Sequence, residues 1–446
     1  MKYMDTKDMQ VLVLMGGMGT RLGELAAERP KAMMPVNGKP FFRYQFDLMV
    51  ANGFRRFLFC VGHNSKPVKD YFKDGKWICD DVDIAYSDEG EVLLGTAGAI
   101  VNALSFLDDS FMVIYGDSFM DIDYKEAVYR FLLGKDKGKK ALMTVMENGD
   151  FFDKSNVEYM DGEIIRYSKK EKSSQMTYID YGVSVFSKTV FERLERGKKI
   201  DLSDVQSKLV DMALMSSYEV VHRFYEIGTP KSLKEFQLYA KHRFDEKHPA
   251  VFFDRDGVIN EIVYIDETQQ LDSPMSPKQF HMFPEAKDAL KSLKDAGYYI
   301  FVVTNQPAAA KGKTSLETLY SINTLMCRQL RDVMIDGVEI CPHHPTGSEK
   351  AKDKSLIRMC ECRKPNDGMI RNILKKFNID VSRSYMVGDS YTDMKAGHKS
   401  GLKTIFIGNF KCDVCAMLDH NRPDLIVGGI KEASRAILQR HDASME

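Results

Sequence analysis

No surplus of charge marks this chain. Lys and Arg number 63 against 64 Asp and Glu, a formal net charge of −1. A general nucleic-acid binder carries a basic excess, so nucleic acid is excluded as a partner. Small anions are not excluded, because one pocket needs only a few lysines. No stretch reaches the roughly 20 apolar residues of a membrane helix, and no membrane partner is expected. The start, MKYMDTKDMQ, lacks the apolar core of a signal peptide, and a cytoplasmic protein is expected. Internal repeats and low-complexity segments are also missing. Cysteines are few: Cys60, Cys79, Cys327, Cys341, Cys360, Cys362, Cys412 and Cys415. A long chain in a reducing compartment has little use for a disulfide framework, so clustered cysteines read first as metal ligands.

What is present is ordinary globular material, 44% apolar and 28% charged over 446 residues. That length implies two or three domains. Apolar runs at 10–15, 56–61, 84–87, 111–115, 141–146, 182–186 and 219–225 read as strands, with amphipathic segments such as 40–52 between them. Strands alternating with helices imply crossover units and a largely parallel sheet. A charged helix follows over 231–245. The alternation resumes at 250–253, 299–304, 338–341, 385–387 and 404–407. The expectation is two α/β domains, 1–240 and 250–446, with a linker at 241–249. Each first strand ends in a distinctive loop, at the edge where open α/β sheets bind ligands.

In the second half, Phe253-Asp254-Arg255-Asp256-Gly257 puts two carboxylates after a buried strand. Alone this could be a polar turn. Thr304 ends the next strand, Lys364 precedes a helix, and Gly388-Asp389-Ser390-Tyr391-Thr392-Asp393 ends a third. This ordered set resembles the haloacid-dehalogenase-like phosphatases. The resemblance implies Asp254 as the nucleophile and Asp256 as the acid and base. It implies Mg2+ held by Asp254, Asp389 and the Asp256 carbonyl. Thr304 and Lys364 would hold the transferring oxygens. Asp393 either orients the metal shell or caps the following helix.

Cys341-Pro342-His343 and Cys360-Glu361-Cys362 have the donor types of a closed tetrahedral Zn2+ site, with His344 the second choice to His343. This loop with Cys-Arg-Lys-Pro resembles D-glycero-D-manno-heptose 1,7-bisphosphate 7-phosphatases, and histidinol-phosphate phosphatases are a near rival. A substrate role for Arg363, Asn305, Gln306 and Pro307 is implied. The sequence departs from many relatives at 307–311, at Asp367 where proline is usual, and in an added loop, Asp272–Pro277. That loop resembles the branch acting on the α-anomer. Gly312-Lys313-Thr314 lacks the earlier glycine of a P-loop, and Cys412/Cys415 read as free thiols.

In the first half, Gly16-Gly17-Met18-Gly19-Thr20-Arg21-Leu22 precedes Pro30-Lys31. Glycines let backbone amides close on a triphosphate, and two cations offset pyrophosphate charge. The pattern resembles sugar-1-phosphate nucleotidyltransferases of the heptose 1-phosphate guanylyltransferase type, with a Rossmann-like mixed sheet. The second domain would then be the haloacid-dehalogenase-like, Rossmannoid one. The resemblance implies Arg21 and Lys31 on the β- and γ-phosphates. Gly95 and Thr96 would lie near base and sugar, and Asp180 in the sugar pocket. Asp117 and Glu226 would hold Mg2+, although Glu226 stands where Asp is usual. Lys169 is either a sugar-phosphate contact or a solvated turn lysine beside Lys170. Asp88 and Glu89 read as solvated.

Two enzymes on one chain should share a pathway. The expectation is removal of the 7-phosphate from α-heptose 1,7-bisphosphate, then transfer from GTP to heptose 1-phosphate. Alternatives are another sugar phosphate with CTP, UTP or ATP, or a histidinol-phosphate-type phosphatase joined to a regulatory nucleotidyltransferase-like module. Homo-oligomerisation is left open.

Overall fold

The computed structural model describes residues 6–16, 29–90, 92–266, 269–408 and 422–442. The chain divides into two compact units, one ending at Lys241 and the other starting at His242. Among the described residues no helix is long and apolar enough to cross a membrane.

The first unit is organised by Gln10–Leu14, whose five residues are all buried. β-Branched and leucine side chains suit a strand covered on both faces. It pairs in parallel with Arg56–Val61 on one side and Ser110–Tyr115 on the other. Asp83–Asp88 extends the parallel part. Beyond Ser110–Tyr115 the sheet turns antiparallel through Tyr178–Ser187, which also pairs with Ala141–Glu147. The nine-stranded sheet is therefore mixed. The helix Phe41–Ala51 buries Phe41, Phe42 and Phe46 against it. Phe42 stands 5.6 Å edge-on from Phe59 and 5.7 Å from Phe72; burying each such ring contributes about 1.5–3 kcal/mol.

One expected element differs. The run 219–225 is not one strand: Met215–Val220 pairs in parallel with Ala141–Glu147. Tyr225–Glu226 pairs separately with Ser118–Phe119. The break brings Glu226 opposite Ser118, next to Asp117, whose carbonyl accepts from Ile227 N at 3.0 Å. Tertiary pairing has overridden a continuous run of strand formers.

In the second unit all six strands of the main sheet are parallel. Their order is Gly337–Cys341, Tyr299–Asn305, Ala250–Phe253, Tyr385–Gly388, Lys403–Ile407, Leu425–Val427. Ala250–Phe253 comes first in the chain yet lies inside the sheet, so the strand order reverses beside it. That reversal opens the crevice in which such sheets bind ligands. Below it, Phe252 and Phe301 stack at 5.3 Å. Helix Ala286–Asp295 turns Ala286, Ala289, Leu290 and Leu293 into the core. Residues 241–249 are tied down: Lys241–Asp245 is a π-helical turn continuing helix Pro230–Ala240, and His248 bridges to Ile379.

Candidate functional site

At the carboxyl edge of Ala250–Phe253, register fixes the chemistry. Phe253 is level with Val302 and Val387, so Asp254, Thr304 and Asp389 emerge together from three neighbouring strands. Asp254, Asp389 and Asp393 place one carboxylate oxygen each within 4.8 Å of one another. Gly257 has φ +80°, and a Cβ there would sit 2.1 Å from Asp389 Oδ2. Only glycine lets the turn pass so close to that carboxylate.

Lys364 is inserted among these acids, with 2% of its side chain exposed. Its Nζ lies 3.0 Å from Asp254 Oδ1 and 2.6 Å from Asp393 Oδ1. It also donates to the Val303 carbonyl at 2.8 Å. Burial, with Asp393 and Asp256 nearby, lifts Asp254 to about 6 against the pull of Lys364. Burial, Asp254 and Asp393 lift Asp389 to about 7. Close-set acids with raised values are a general mark of working sites.

Asp393 caps the following helix, and it also lies among the acids near Asp254 and Asp389. Its Oδ2 accepts from Ser390 N and Oγ at 3.0 and 2.9 Å, closing the N-terminus of helix Tyr391–Lys399. Its Oδ1 faces Lys364. Asn305 is not turned to open space: its side chain exchanges two hydrogen bonds with the Lys364 backbone, 3.1 and 3.0 Å. Gln306 is fully buried, and its Nε2 donates to Asp256 Oδ2 at 2.7 Å and Thr304 Oγ1 at 2.9 Å.

Arg255 was missed in the sequence. It is fully buried. It donates through Nε and Nη2 to the two oxygens of Asp256, 3.0 and 3.1 Å, and through Nη1 to Asn323 at 2.6 Å. Asn260 adds a fourth donor at 3.0 Å. Burial alone would raise Asp256, but Arg255, Gln306 and Asn260 together hold it below the ordinary carboxylate range. The one cue was position: an arginine between two acids on a buried turn needs a carboxylate partner.

Beside this edge lies the sulfur cluster. Cys341, His343, Cys360 and Cys362 place their donor atoms within 4.8 Å of one another. Cys362 Sγ is 3.2 Å from Cys341, 3.3 Å from Cys360 and 3.3 Å from His343 Nδ1. A tetrahedral zinc at ~2.3 Å from each sulfur spaces them about 3.7 Å apart, so a small expansion would admit the ion. Hydrogen bonding with Cys341, then His343, draws the Cys362 thiol down to about 4 against burial. His344 lies apart from the cluster, half-buried, its Nδ1 against the Thr346 carbonyl. Arg363 Nη1 reaches the His343 carbonyl at 3.4 Å. The ligand loop and the Arg363-Lys364 pair are thus one piece. Pro307 follows at the end of Tyr299–Asn305, half-buried.

In the first unit, Lys31 Nζ meets Asp117 Oδ2 at 2.8 Å. Around Tyr115, burial and then Asp180, Asp117, Asp201 and Glu226 push the phenol well up. The charges of four acids are therefore felt at the end of that strand. Gly16 opens the same edge. Gly17, Gly19, Thr20 and Arg21 lie outside the described residues, as do Cys412 and Cys415. Gly95 has φ +73°, and a Cβ there would meet the Ile200 carbonyl at 2.6 Å. Thr96 Oγ1 donates to Asp201 at 2.8 Å and accepts from Leu202 N at 2.7 Å, which commits the hydroxyl to packing. Asp180 accepts from the Tyr167 hydroxyl at 3.2 Å and from Gly182 N at 3.1 Å. Lys169 is exposed, next to Lys170, which pairs with Asp204 at 2.6 Å.

Glu89 corrects an expectation. Asp88 does stay at the surface, with Lys69 at 2.6 Å. Glu89 turns inward, because Glu89 N donates to the Val61 carbonyl and its Oε2 accepts from Leu94 N at 3.1 Å. A Cβ at Gly16 would lie 2.5 Å from Glu89 Oε1. The carboxylate thus sits against the opening of the glycine loop, and burial raises it above its ordinary value.

These arrangements define the class: one α/β unit presents Gly16, a lysine and acids at a sheet edge, and the next a buried acid–lysine cluster. The chain belongs to the nucleotidyl transferase family, matched over residues 10–242, and residues 361–433 match the HAD-hydrolase-like family. It is a bifunctional enzyme, a nucleotidyltransferase followed by a phosphatase. The second half is 38% identical over 160 residues to a D-glycero-beta-D-manno-heptose-1,7-bisphosphate 7-phosphatase from Haemophilus ducreyi, covering 35% of this chain and 80% of that protein. It is 34% identical over 191 residues to the protein of the same name from Salmonella typhi, 42% of this chain and 95% of that one. Among solved structures, a putative glucose-1-phosphate thymidylyltransferase from Bacillus anthracis is 20% identical. It covers 52% of this chain and 95% of its own, with a TM-score of 0.48.

Proposed function

We propose that the chain removes the 7-phosphate of D-glycero-α-D-manno-heptose 1,7-bisphosphate and then joins the resulting 1-phosphate to GTP, giving GDP-heptose and pyrophosphate. The observation that carries the phosphatase half is the cluster of Asp254, Asp389, Asp393 and Lys364 at one sheet edge, in a region 38% identical to a heptose bisphosphate phosphatase. Those relatives are named for the β-anomer. The α reading rests on the resemblance of the added loop Asp272–Pro277, which Asp272 with Lys313 and Thr314 Oγ1 with the Met275 carbonyl hold in place.

Asp254 attacks phosphorus and the sugar oxygen leaves with a proton; water then opens the aspartyl-phosphate. Lys364 balances charge beside the attacking carboxylate. Asp256 rests ionised under four donors, which suits activating that water. Protonating the leaving oxygen first requires it to gain a proton and turn from Arg255. The hard oxygen donors of Asp254 and Asp389 suit Mg2+, which would neutralise the phosphate dianion when bound. Cys341, His343, Cys360 and Cys362 would hold Zn2+ as a structural ion. Zinc content should fall by one equivalent in Cys360→Ser; an unchanged count by mass spectrometry removes the ligand assignment.

In transfer, the sugar 1-phosphate oxygen attacks the α-phosphorus and pyrophosphate departs in line, a reaction of positioning and charge compensation. Lys31 and Arg21 would take the leaving pyrophosphate, Asp117 and Glu226 would hold Mg2+, and Lys169 and Asp180 would meet the sugar phosphate. Guanine presents two adjacent donors on its pairing edge, and the inward carboxylate of Glu89 is the matching acceptor. Glu89→Gln should lower kcat/KM for GTP by roughly 10–100-fold, the worth of a bidentate base contact. ITP, lacking the 2-amino group, should lose far less. Equal losses would make Glu89 a packing residue.

The direct test offers both bisphosphate anomers with each of GTP, CTP, UTP and ATP. Sugar nucleotide should appear with the α-anomer and GTP, and only after orthophosphate. Product from the β-anomer, or from another triphosphate in preference, overturns that part of the reading.

A further inference from the structure

Where the first unit's last helix runs out, three metal-binding side chains stand within seven residues: His242, Glu246 and His248. Nothing in either catalytic edge uses them. Glu246 Oε2 lies 3.7 Å from His242 Nδ1 and 3.6 Å from His248 Nε2, and the two imidazole rings are 4.0 Å apart. Zinc held at ~2.0–2.1 Å by nitrogen and oxygen spaces its ligands about 3.3 Å apart. Glu246 needs to close on each imidazole by only a few tenths of an ångström, and all three donor atoms already lie within 4.8 Å of one another.

The segment carrying them is built before any ion arrives. The His242 carbonyl accepts from the Tyr299 hydroxyl at 3.3 Å, and the Tyr299 ring packs on both imidazoles at 5.8 and 5.4 Å. Asn378 donates to the Phe244 carbonyl at 3.3 Å. His248 N donates to the Asn378 carbonyl at 3.2 Å, and Asp380 N donates to the His248 carbonyl at 2.9 Å. Arg243 stacks on Phe377 at 4.0 Å. Both ends of the triad are therefore anchored to the phosphatase unit.

One atom there is unexplained. His248 Nε2 is buried with no hydrogen-bond partner, Glu246 Oε2 standing just beyond that range at 3.6 Å, and a buried polar atom left so calls for a reason.

We propose that His242, Glu246 and His248 form a second transition-metal site, for zinc or a similar borderline ion such as cobalt(II) or nickel(II). Two imidazoles and one carboxylate select such ions over magnesium. Three protein ligands leave a position for water. The ion's role is a staple: it closes the turn that leads into Ala250–Phe253, the strand bearing Asp254.

The test uses the full chain, equilibrated with micromolar zinc and excess magnesium, then freed of unbound metal. Wild type should retain one zinc more than His242→Ala, and one more than His248→Gln. Cys362→Ser should keep the extra ion. Cobalt(II) added to Cys362→Ser should give a weak d–d spectrum without sulfur charge transfer, lost on adding His242→Ala. His242 is half exposed and its replacement is not expected to disturb folding, which circular dichroism checks. Phosphate release by His242→Ala should stay within twofold of wild type at saturating magnesium. Equal zinc in wild type and His242→Ala overturns the site and leaves the trio as an ordinary His–Glu cluster.

Discussion

Asp254→Asn should stop orthophosphate release, by about four orders of magnitude or more, the scale on which losing a covalent nucleophile is felt. Transfer of a nucleotidyl group to supplied sugar 1-phosphate should continue at the wild-type rate. The substitution keeps the shape of the side chain, so Arg255 N can still donate to the retained oxygen, 2.7 Å away in the parent. Lys364 keeps Asp393 at 2.6 Å. Stability should not fall either. Burial, the largest influence, raises Asp254 to about 6. A carboxyl raised in the folded state favours folding below its unfolded value and loses that contribution as pH climbs through about 6. At pH 7 the charge is therefore a burden, and a neutral amide removes it. The thermal midpoint at pH 7 should match or exceed the parent's. Separate assays for orthophosphate and pyrophosphate decide the matter: loss of both activities would mean that the two units do not work independently.

The division of labour was readable because the reacting groups sit at strand ends. A strand's register carries whatever follows it to one edge, so Asp254, Thr304 and Asp389 could be placed together from three apolar runs alone. The sulfur cluster was readable for a similar reason, since Cys-x-His and Cys-x-Cys each turn two donors one way. What stayed hidden was the support. Arg255 gives no periodic signal, and the partner that helps hold it against Asp256 is Asn323, 68 positions away. Glu89 looked like one more surface acid beside Asp88. Only the parallel pairing of Asp88 with Val61 shows that the next residue faces Gly16. Asn305 and Thr96 resembled substrate contacts, yet their hydrogen bonds go to Lys364 and to Asp201 and Leu202. Side chains of this kind serve the backbone as readily as a ligand. The split of 219–225 was likewise settled by partners, not by the run itself.

Lys364→Met should damage stability as well as catalysis, and the reason separates it from Asp254→Asn. Removing a nucleophile leaves the charges around it no worse off. Removing Lys364 takes the cation from between Asp254 and Asp393, and Asp393 is fully buried. Breaking one side of a buried ion pair costs about 3–5 kcal/mol, because the remaining charge has no water to turn to. In a unit of about 200 residues that lowers the midpoint by roughly 6–20 °C. The loss should be confined to the second unit, with nucleotidyl transfer kept at temperatures below its melting. Two rescues follow from the same argument. Adding magnesium should restore part of the midpoint, since the ion would share the carboxylates that Lys364 abandoned. Adding Asp393→Asn should restore more, because it deletes the stranded charge while keeping an acceptor for Ser390. The double-variant cycle should then give a strong coupling between the two positions, with phosphate release still absent. A single variant that melts with the parent, or a double variant no more stable than the single, would show that Lys364 is not what balances the acids at this edge.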